Sequence, residues 1–271
     1  MAHLYQTVSS SGQIGIDCGW VKFSRTLLLD RGLARGAVVA ADGVTVIVGG
    51  TSGLGRRLAE TFAARGDEVL ITGRDAPRAQ AVAAAIGDGV RSCGFDLAEP
   101  HAIAEALGGT NNVKHLVLAA IERDANSVRE FDVDRAVRLA TLKLVGYTEV
   151  LHCLHPHMSE SSSVLLFGGL AKDRPYPGST TVTSVNGAVS TMVRTFATEL
   201  APVRVNAIHP GIVGDSPAWE GNPAMLEQVK ARTPTGRLVA MDDVIGACLF
   251  LLENPSVNGV NLPLDGGWVM L

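Results

Sequence analysis

The sequence predicts an α/β fold, in which a doubly wound parallel sheet carries helices on both faces. Three observations predict it. Short β-branched runs alternate with Ala- and Leu-rich helical stretches from Val44 onward, most of these runs are predominantly apolar, and a glycine-rich turn follows the first of them. Strands that are buried on both faces appear as continuous apolar runs, and helical connections between them require parallel crossovers.

Seven strands are expected, each identified by its apolar run. In chain order they are VTVIV (44–48), EVLIT (68–72), VRSC (90–93), HLVLAA (115–120), SVLLF (163–167), VRVNAI (203–208) and GVNLP (259–263). Helical patterns fill the gaps, for example at 54–66, 76–87 and 241–254. No internal repeat and no linker interrupts the pattern, so we expect residues 44–271 to form a single domain.

The first 43 residues have a different composition. They are polar and Gly/Ser-rich and then mildly amphipathic, and the run GQIGIDCGWVKF has the alternation of an extra hairpin. We expect residues 1–43 to be a loosely packed N-terminal extension. A part in oligomer contacts or in covering a substrate is the alternative.

Composition limits the classes of function. The chain of 271 residues is 46% hydrophobic and 18% charged, which permits a substantial core, and its net charge of −4 leaves no basic footprint for nucleic acid. Its four cysteines lie far apart without a CxxC pair, as expected for reduced thiols in the cytoplasm rather than for disulfides or a zinc site. No apolar run reaches the length of a membrane span.

A glycine turn at residues 49–55 carries the clearest functional signal. The first strand runs directly into GGTSGLG and then into a helix. We expect Gly49 to permit the tight turn, Gly53 to let the backbone approach a pyrophosphate, and Gly55 to let the helix pack close to the strand. The free N–H groups of the helix N-terminus would then face the phosphates. The turn does not fit a G-x-S-x-G nucleophile elbow, so it does not indicate a hydrolase.

This turn and several later motifs resemble the short-chain dehydrogenase/reductase superfamily. The later motifs occur in the order and spacing of that family: ITGR (71–74), Asp96-Leu97, LHPHM (154–158), RVNAIHPGIV (204–213) and PLDGGW (263–268). The resemblance implies a Rossmann-type fold, a dinucleotide cofactor, a small-molecule substrate and a homo-oligomer, either a dimer or a tetramer. The cofactor-binding residues it implies are Gly49, Thr51, Ser52, Gly53, Leu54, Gly55, Arg74, Asp96, Leu97, Ala119, Ala120, Pro210, Gly211 and Val213.

Arg74 indicates which dinucleotide is preferred. It stands just past the second strand, 19 residues after Gly55. A carboxylate at this place would bind a ribose 2′-hydroxyl, whereas Gly73-Arg74 offers space and a guanidinium for a 2′-phosphate. We therefore expect NADP(H) to be preferred over NAD(H). The neighbouring Asp75 is expected to cap the next helix rather than to touch the ribose.

The catalytic positions depart from the pattern that the resemblance implies. Members of this superfamily use a Tyr with a Lys four residues later, together with a Ser and an Asn. Here Val182 occupies the Tyr position, Asn186 the Lys position, Gly169 the Ser position and Lys143 the Asn position. None of the three tyrosines, Tyr5, Tyr147 and Tyr176, has a lysine four residues later. Ile121 also stands where the family has a glycine and could crowd the nicotinamide ribose.

Three residues are candidates for replacing the missing groups. Lys143 and Asn186 look exchanged, so Lys143 could reach the cofactor ribose and restore one cation, although an ordinary surface lysine is the simpler interpretation. The loop LAKDRPYPGST (170–180) carries Tyr176, the first candidate for a replacement acid, although such loops are usually only solvated.

Four histidines of the sequence are expected to have structural roles, and one tryptophan lies near the expected substrate. His152, His155 and His157 are expected to end a helix rather than to bind a metal, and no metal site is predicted. His209 precedes Pro210-Gly211 near the expected nicotinamide and is interpreted as filling its position rather than as an acid. Trp219 lies in the segment 216–226, which covers the substrate in this superfamily.

The sequence thus predicts an NADP(H)-binding oxidoreductase of divergent type that acts on a small carbonyl or alcohol. Its proton donor is non-standard or comes from substrate or water. Two alternatives remain open. One is a non-catalytic dinucleotide-binding sensor or scaffold protein, and the other is a non-redox enzyme, for a cyclisation or a dehydration, in the same pocket.

Overall fold

The computed structural model describes residues 43–219 and 221–270, and within them the doubly wound fold is confirmed. Seven parallel strands form one sheet in the order β3-β2-β1-β4-β5-β6-β7. Their bounds are β1 Val44–Val48, β2 Glu68–Gly73, β3 Val90–Gly94, β4 Val113–Leu118, β5 Met158–Phe167, β6 Arg204–Pro210 and β7 Asn261–Leu264. The interpretation of the N-terminal extension falls on residues outside the described part, apart from Gly43.

Eight α-helices connect the described strands. They are α1 Gly53–Ala64, α2 Ala76–Ile86, α3 Ile103–Leu107, α4 Val133–Ala140, α5 Tyr147–Leu154, α6 Thr180–Glu199, α7 Pro223–Arg232 and α8 Met241–Glu253. The helices α4 and α5 continue into one another through a π-helical turn, Thr141–Gly146. None of the described helices combines the length and the apolar character needed to cross a bilayer.

The core consists of two apolar layers, one on each face of the sheet. On β1, Val46 and Val48 belong to the layer under α5 and α6, whereas Ile47 belongs to the layer under α1 and α8. Successive side chains of a strand point to opposite faces, and both faces here are covered by helices. This explains why every residue of β1 is buried and why four of its five residues are apolar, with Thr45 the exception.

All strands except β1 differ from the predicted ranges at one or both ends, and the differences at β4 and β5 are described here. β4 ends at Leu118, so Ala119 and Ala120 lie beyond the ladder, although the Ala119 N–H still donates to the Val48 carbonyl. β5 starts at Met158, five residues before the predicted start at Ser163. The extra residues are Ser159, Glu160 and their neighbours, and their exposed polar side chains hide this part of the strand from an apolar pattern search.

Candidate functional site

The glycine turn lies at the carboxyl end of β1, against the chain that leaves β4. Gly49 has φ +88°, and a Cβ atom there would lie 2.7 Å from the Cα of Ala120. A Cβ atom at Gly55 would lie 2.3 Å from the Gly49 carbonyl oxygen. Both positions therefore require glycine: one for a left-handed conformation beside β4, the other for the close approach of α1. The structural roles expected for these two glycines are present.

Gly53 differs from these two because its surroundings are open. It has φ +52°, and a Cβ atom there would meet nothing within 4 Å. Ser52, the N-cap of α1, makes no side-chain hydrogen bond to the helix. The first-turn amides of a helix have no partner within it. The turn therefore offers a backbone cradle with free N–H groups and the positive end of α1, which fits a pyrophosphate.

Arg74 lies just past the end of β2, and 63% of its side chain is exposed. Its Nη1 is 3.6 Å from Oε1 of Glu122, a residue of the loop that follows β4. The next residue, Asp75, accepts a hydrogen bond from the Arg78 N–H at 2.9 Å and caps α2, as predicted.

Glu122 and Asp96 share a second arginine. Nε of Arg138 donates to both carboxylate oxygens of Glu122, at 2.9 and 3.1 Å, and its Nη2 donates to Asp96 at 2.8 Å. Burial raises the pKa of Asp96, but the Ala98 N–H and the Arg138 guanidinium outweigh this effect and hold it below the ordinary value. The expected adenine contact, Asp96, is therefore charged and fixed by α4.

Glu122 and Arg138 are residues of this site that no sequence motif predicted. Glu122 lies four residues past β4, where the resemblance drew attention to Ile121 instead, and Arg138 follows 16 residues later on α4. No local motif joins them. A charged residue close to the end of a buried parallel strand was the one available signal, because such ends face the ligand crevice of an open α/β sheet.

Lys143 lies inside the protein rather than on the helix surface. It is 1% exposed, and its Nζ donates to the Tyr147 hydroxyl at 2.7 Å and to the Phe167 carbonyl at 2.8 Å. The Tyr147 hydroxyl in turn donates to the Ala120 carbonyl at 2.6 Å. Lys143 thus joins the chain leaving β4 to the end of β5.

Burial dominates the electrostatics of this pair. It lowers the pKa of Lys143 to about 7 and raises the pKa of Tyr147 well above its ordinary value. No carboxylate of the described residues forms a salt bridge with Lys143. Desolvation without a counter-ion favours the neutral amine. Both hydrogen bonds of Nζ are made within the protein, so the expected contact with a ribose is not part of this arrangement.

Asn186 and Gly169 fit each other. Asn186 is buried on α6, and a Cβ atom at Gly169 would lie 2.8 Å from its Nδ2. A serine at residue 169 would therefore need the Asn186 amide to move. Val182 lies one turn earlier on the same helix and is partly buried. Residues 169, 182 and 186 therefore provide neither a phenol nor an amine, and the one amine among the four positions is that of Lys143.

Tyr176 is exposed on the loop that follows β5. It is 53% exposed and lines an open cavity of about 610 Å³, between residues 127–129 and residues 175–180. Arg174 connects this loop to the C-terminal segment, because it donates to the Trp268 carbonyl and stacks on the Trp268 ring. Within the loop, Lys172 pairs with its neighbour Asp173 at 2.5 Å.

Two large hydrophobic residues, Ile121 and Trp219, belong to the segments that follow β4 and β6. Ile121 is 67% exposed beside the glycine turn. The Arg123 guanidinium lies 5.3 Å from the centre of the Trp219 ring and so joins the loop after β4 to the segment predicted to cover a substrate.

His209 and His155 make hydrogen bonds within the fold. His209 is fully buried, its Nε2 lies 2.9 Å from Asn261 Oδ1, and burial lowers its pKa. Its ring leaves no room for a side chain at Gly168. His155 bonds through Nδ1 to the His152 carbonyl at a helix end. The described residues contain no group of three potential metal ligands.

Comparison with known proteins gives consistent matches over the described domain. Residues 48–269 match the family described as enoyl-(acyl carrier protein) reductase. The chain is 30% identical to a 3-oxoacyl-[acyl-carrier-protein] reductase of Bos taurus over 83% of its own length and 98% of that protein. It is 27% identical to carbonyl reductase family member 4 of Danio rerio, over 84% and 98% respectively.

Solved structures agree. A short-chain dehydrogenase/reductase family protein superposes with a TM-score of 0.75 at 29% identity and covers 85% of this chain and 99% of that one. A 3-ketoacyl-(acyl-carrier-protein) reductase of Brucella melitensis, solved as a complex with NADH, gives 0.75 at 27% identity, with 84% and 99% covered.

Proposed function

Because this chain belongs to the short-chain dehydrogenase/reductase family of oxidoreductases, we propose that it binds NADP(H) and acts on a carbonyl or alcohol group of a small molecule. The observation that carries the proposal is the open cradle at Gly53, with the exposed guanidinium of Arg74 beyond the next strand. The names of the relatives, carbonyl reductase and 3-oxoacyl reductase, support a carbonyl substrate.

Different residues of the chain bind different parts of the cofactor. The glycine turn and the N-terminus of α1 hold the pyrophosphate, Arg74 holds the 2′-phosphate, and Asp96 with Leu97 borders the adenine. Ala120 and the segment from Pro210 to Val213 border the nicotinamide end. When bound, the cofactor supplies hydride chemistry at its nicotinamide ring.

The proton has to come from a group other than the usual tyrosine. Val182 and Asn186 cannot act as a phenol and a cation, and Lys143 is bonded inward. Tyr176 is the exposed phenol beside a cavity and is our candidate donor. Loss of a positioned acid costs about 10²–10⁴-fold in rate, so we expect slow or specialised turnover.

The same proposal includes a homo-oligomer in the cytoplasm. The exposed side chains Val133 and Val137 lie one turn apart on α4, and Val145 follows on the π-helical turn. An apolar stripe of this kind supports association with a second copy.

Calorimetric titration with NADPH and NADH tests cofactor binding. We expect NADPH to bind with micromolar affinity, about −8 kcal/mol. Arg74→Ala should weaken NADPH at least about tenfold more than NADH, since a charged hydrogen bond is worth about 1.5–3 kcal/mol. Arg78→Ala, an exposed arginine on α2, is the matched control. Equal losses for the two cofactors would overturn the assignment of Arg74.

A second experiment separates the enzyme from its alternatives. NADPH oxidation is followed with a panel of carbonyl compounds, for the wild type and for Tyr176→Phe. Unchanged turnover in the variant would exclude Tyr176 as the donor. Cofactor binding without any oxidation would favour a sensor or scaffold, or a non-redox enzyme. The exposed Ile121 at the nicotinamide end is the observation that keeps these alternatives in view.

A further inference from the structure

We propose that Glu122 determines how strongly this chain prefers a 2′-phosphorylated adenosine, because its carboxylate competes with that phosphate for Arg74. The inference rests on the proposed dinucleotide site, but it concerns a residue outside the glycine motif.

The position of Glu122 in the sheet makes the competition direct. The strand order places β1 between β2, which Arg74 follows, and β4, which Glu122 follows. The contact of 3.6 Å between their side chains therefore crosses the carboxyl end of β1, where the glycine turn begins. A phosphate that binds to Arg74 must share this guanidinium with Glu122 or replace Glu122 there.

Arg138 keeps the carboxylate in place. It donates to both oxygens of Glu122 and also to Asp96, and all three side chains are partly buried, with 25–35% of each exposed. Glu122 therefore does not depend on Arg74 for its position, and it stays beside the site when Arg74 moves. The hydrogen bonds from Nε of Arg138 to Glu122, at 2.9 and 3.1 Å, are shorter than the 3.6 Å contact between Glu122 and Arg74, so Arg138 is the stronger partner of the two.

The charges of this cluster balance without a ligand. Arg74 and Arg138 carry two positive charges, and Glu122 and Asp96 carry two negative charges. A 2′-phosphate adds further negative charge near a carboxylate that cannot leave. Replacing Glu122 with glutamine removes one negative charge, preserves the shape and leaves an oxygen for Arg138. The affinity for ligands without the 2′-phosphate should change little.

The experiment measures binding by calorimetry for the wild type and Glu122→Gln. The probes are adenosine 2′,5′-bisphosphate and adenosine 5′-monophosphate, which need only the adenosine part of the site, together with NADPH and NADH. We expect Glu122→Gln to bind the two 2′-phosphorylated ligands about three- to tenfold more tightly. The other two ligands should change by less than about twofold, and the gain should shrink at high salt.

A matched control removes a similar charge elsewhere. Glu253 pairs with Arg65 at 2.6 Å, with a comparable exposed fraction, and lies at the end of α8. Glu253→Gln should leave all four affinities unchanged. Thermal unfolding of each variant checks that both remain folded.

Each other outcome has a definite meaning. Unchanged affinities in Glu122→Gln would overturn the inference. Weaker binding of adenosine 5′-monophosphate and NADH would also overturn it, because Glu122 would then hold a 2′-hydroxyl. If the two adenosine phosphates bound but NADPH and NADH did not, the proposed cofactor-dependent activity would be contradicted. The role of Glu122 would then be decided by the affinities of the two adenosine phosphates. If none of the four ligands bound the wild type, both proposals would fail.

Discussion

The part of the cleft formed by the glycine turn and Arg74 is built mostly from backbone, whereas the part beneath Ala120 and Gly169 is built from buried side chains. In the first, glycines at 49, 53 and 55 set the path of the chain, and the surroundings of Gly53 are open. In the second, Lys143 donates a hydrogen bond to Tyr147, and the Asn186 side chain packs against Gly169. The shape of the first part therefore depends on backbone conformation, whereas the shape of the second depends on side-chain packing.

Tyr147→Phe should have the largest effect on stability. The change removes the donor to the Ala120 carbonyl and an acceptor of Lys143; Lys143 is buried and Ala120 is partly buried. An unsatisfied buried polar group costs about 1–3 kcal/mol, so we expect a loss of about 2–3 kcal/mol in chemical denaturation. The exposed Tyr176→Phe is the control and should change stability by less than about 0.5 kcal/mol. Similar small effects for both would contradict a buried hydrogen-bonded chain.

Lys143→Met should change how stability depends on pH. The pKa of Lys143 is about 7 in the folded chain and near 10.5 when unfolded. Between pH 7 and about 8.5 the unfolded chain binds the extra proton, so raising the pH stabilises the wild type, by about 1–2 kcal/mol over this window. Below pH 7 both states are protonated, and this contribution stays at its minimum.

Urea unfolding across this window measures the effect. The slope should be absent in Lys143→Met, whose side chain carries no proton. The window ends before the cysteines contribute, since burial raises the pKa of Cys93 and Cys153 to about 11 and gives the opposite slope at higher pH. Parallel profiles for the two proteins would mean that the amine is not buried as described.

Gly53→Ala should have the smallest effect on stability but a clear effect on binding. The left-handed backbone costs about 1 kcal/mol with a side chain, and the methyl group meets no neighbour. It would occupy the space where the pyrophosphate should pass, so NADPH affinity should fall. Gly66→Ala is a close control, because Gly66 has φ +85° and equally open surroundings at the other end of α1. Equal NADPH affinities for the two variants would contradict the cradle.

The sequence predicted the fold and the backbone part of the site more fully than the side-chain part. The strand β1 and the cap at Asp75 agree with the prediction, because continuous apolar runs and N-caps are local signals. The interior position of Lys143 was not foreseen, since a π-helical turn has no recognisable local pattern. Tyr147 has no such signal either, because the family motif places the lysine four residues after the tyrosine, whereas here Lys143 lies four residues before Tyr147.

The two tryptophans in the described part of the chain each lie under a guanidinium. Arg123 stacks on Trp219 and Arg174 on Trp268, with the latter guanidinium 4.2 Å from the ring centre. Indole fluorescence responds to a nearby charge, so each of these rings reports optically on the loop that supplies its arginine. Trp219→Phe and Trp268→Phe would separate the two signals, and movement of either loop could then be followed in solution without an added label.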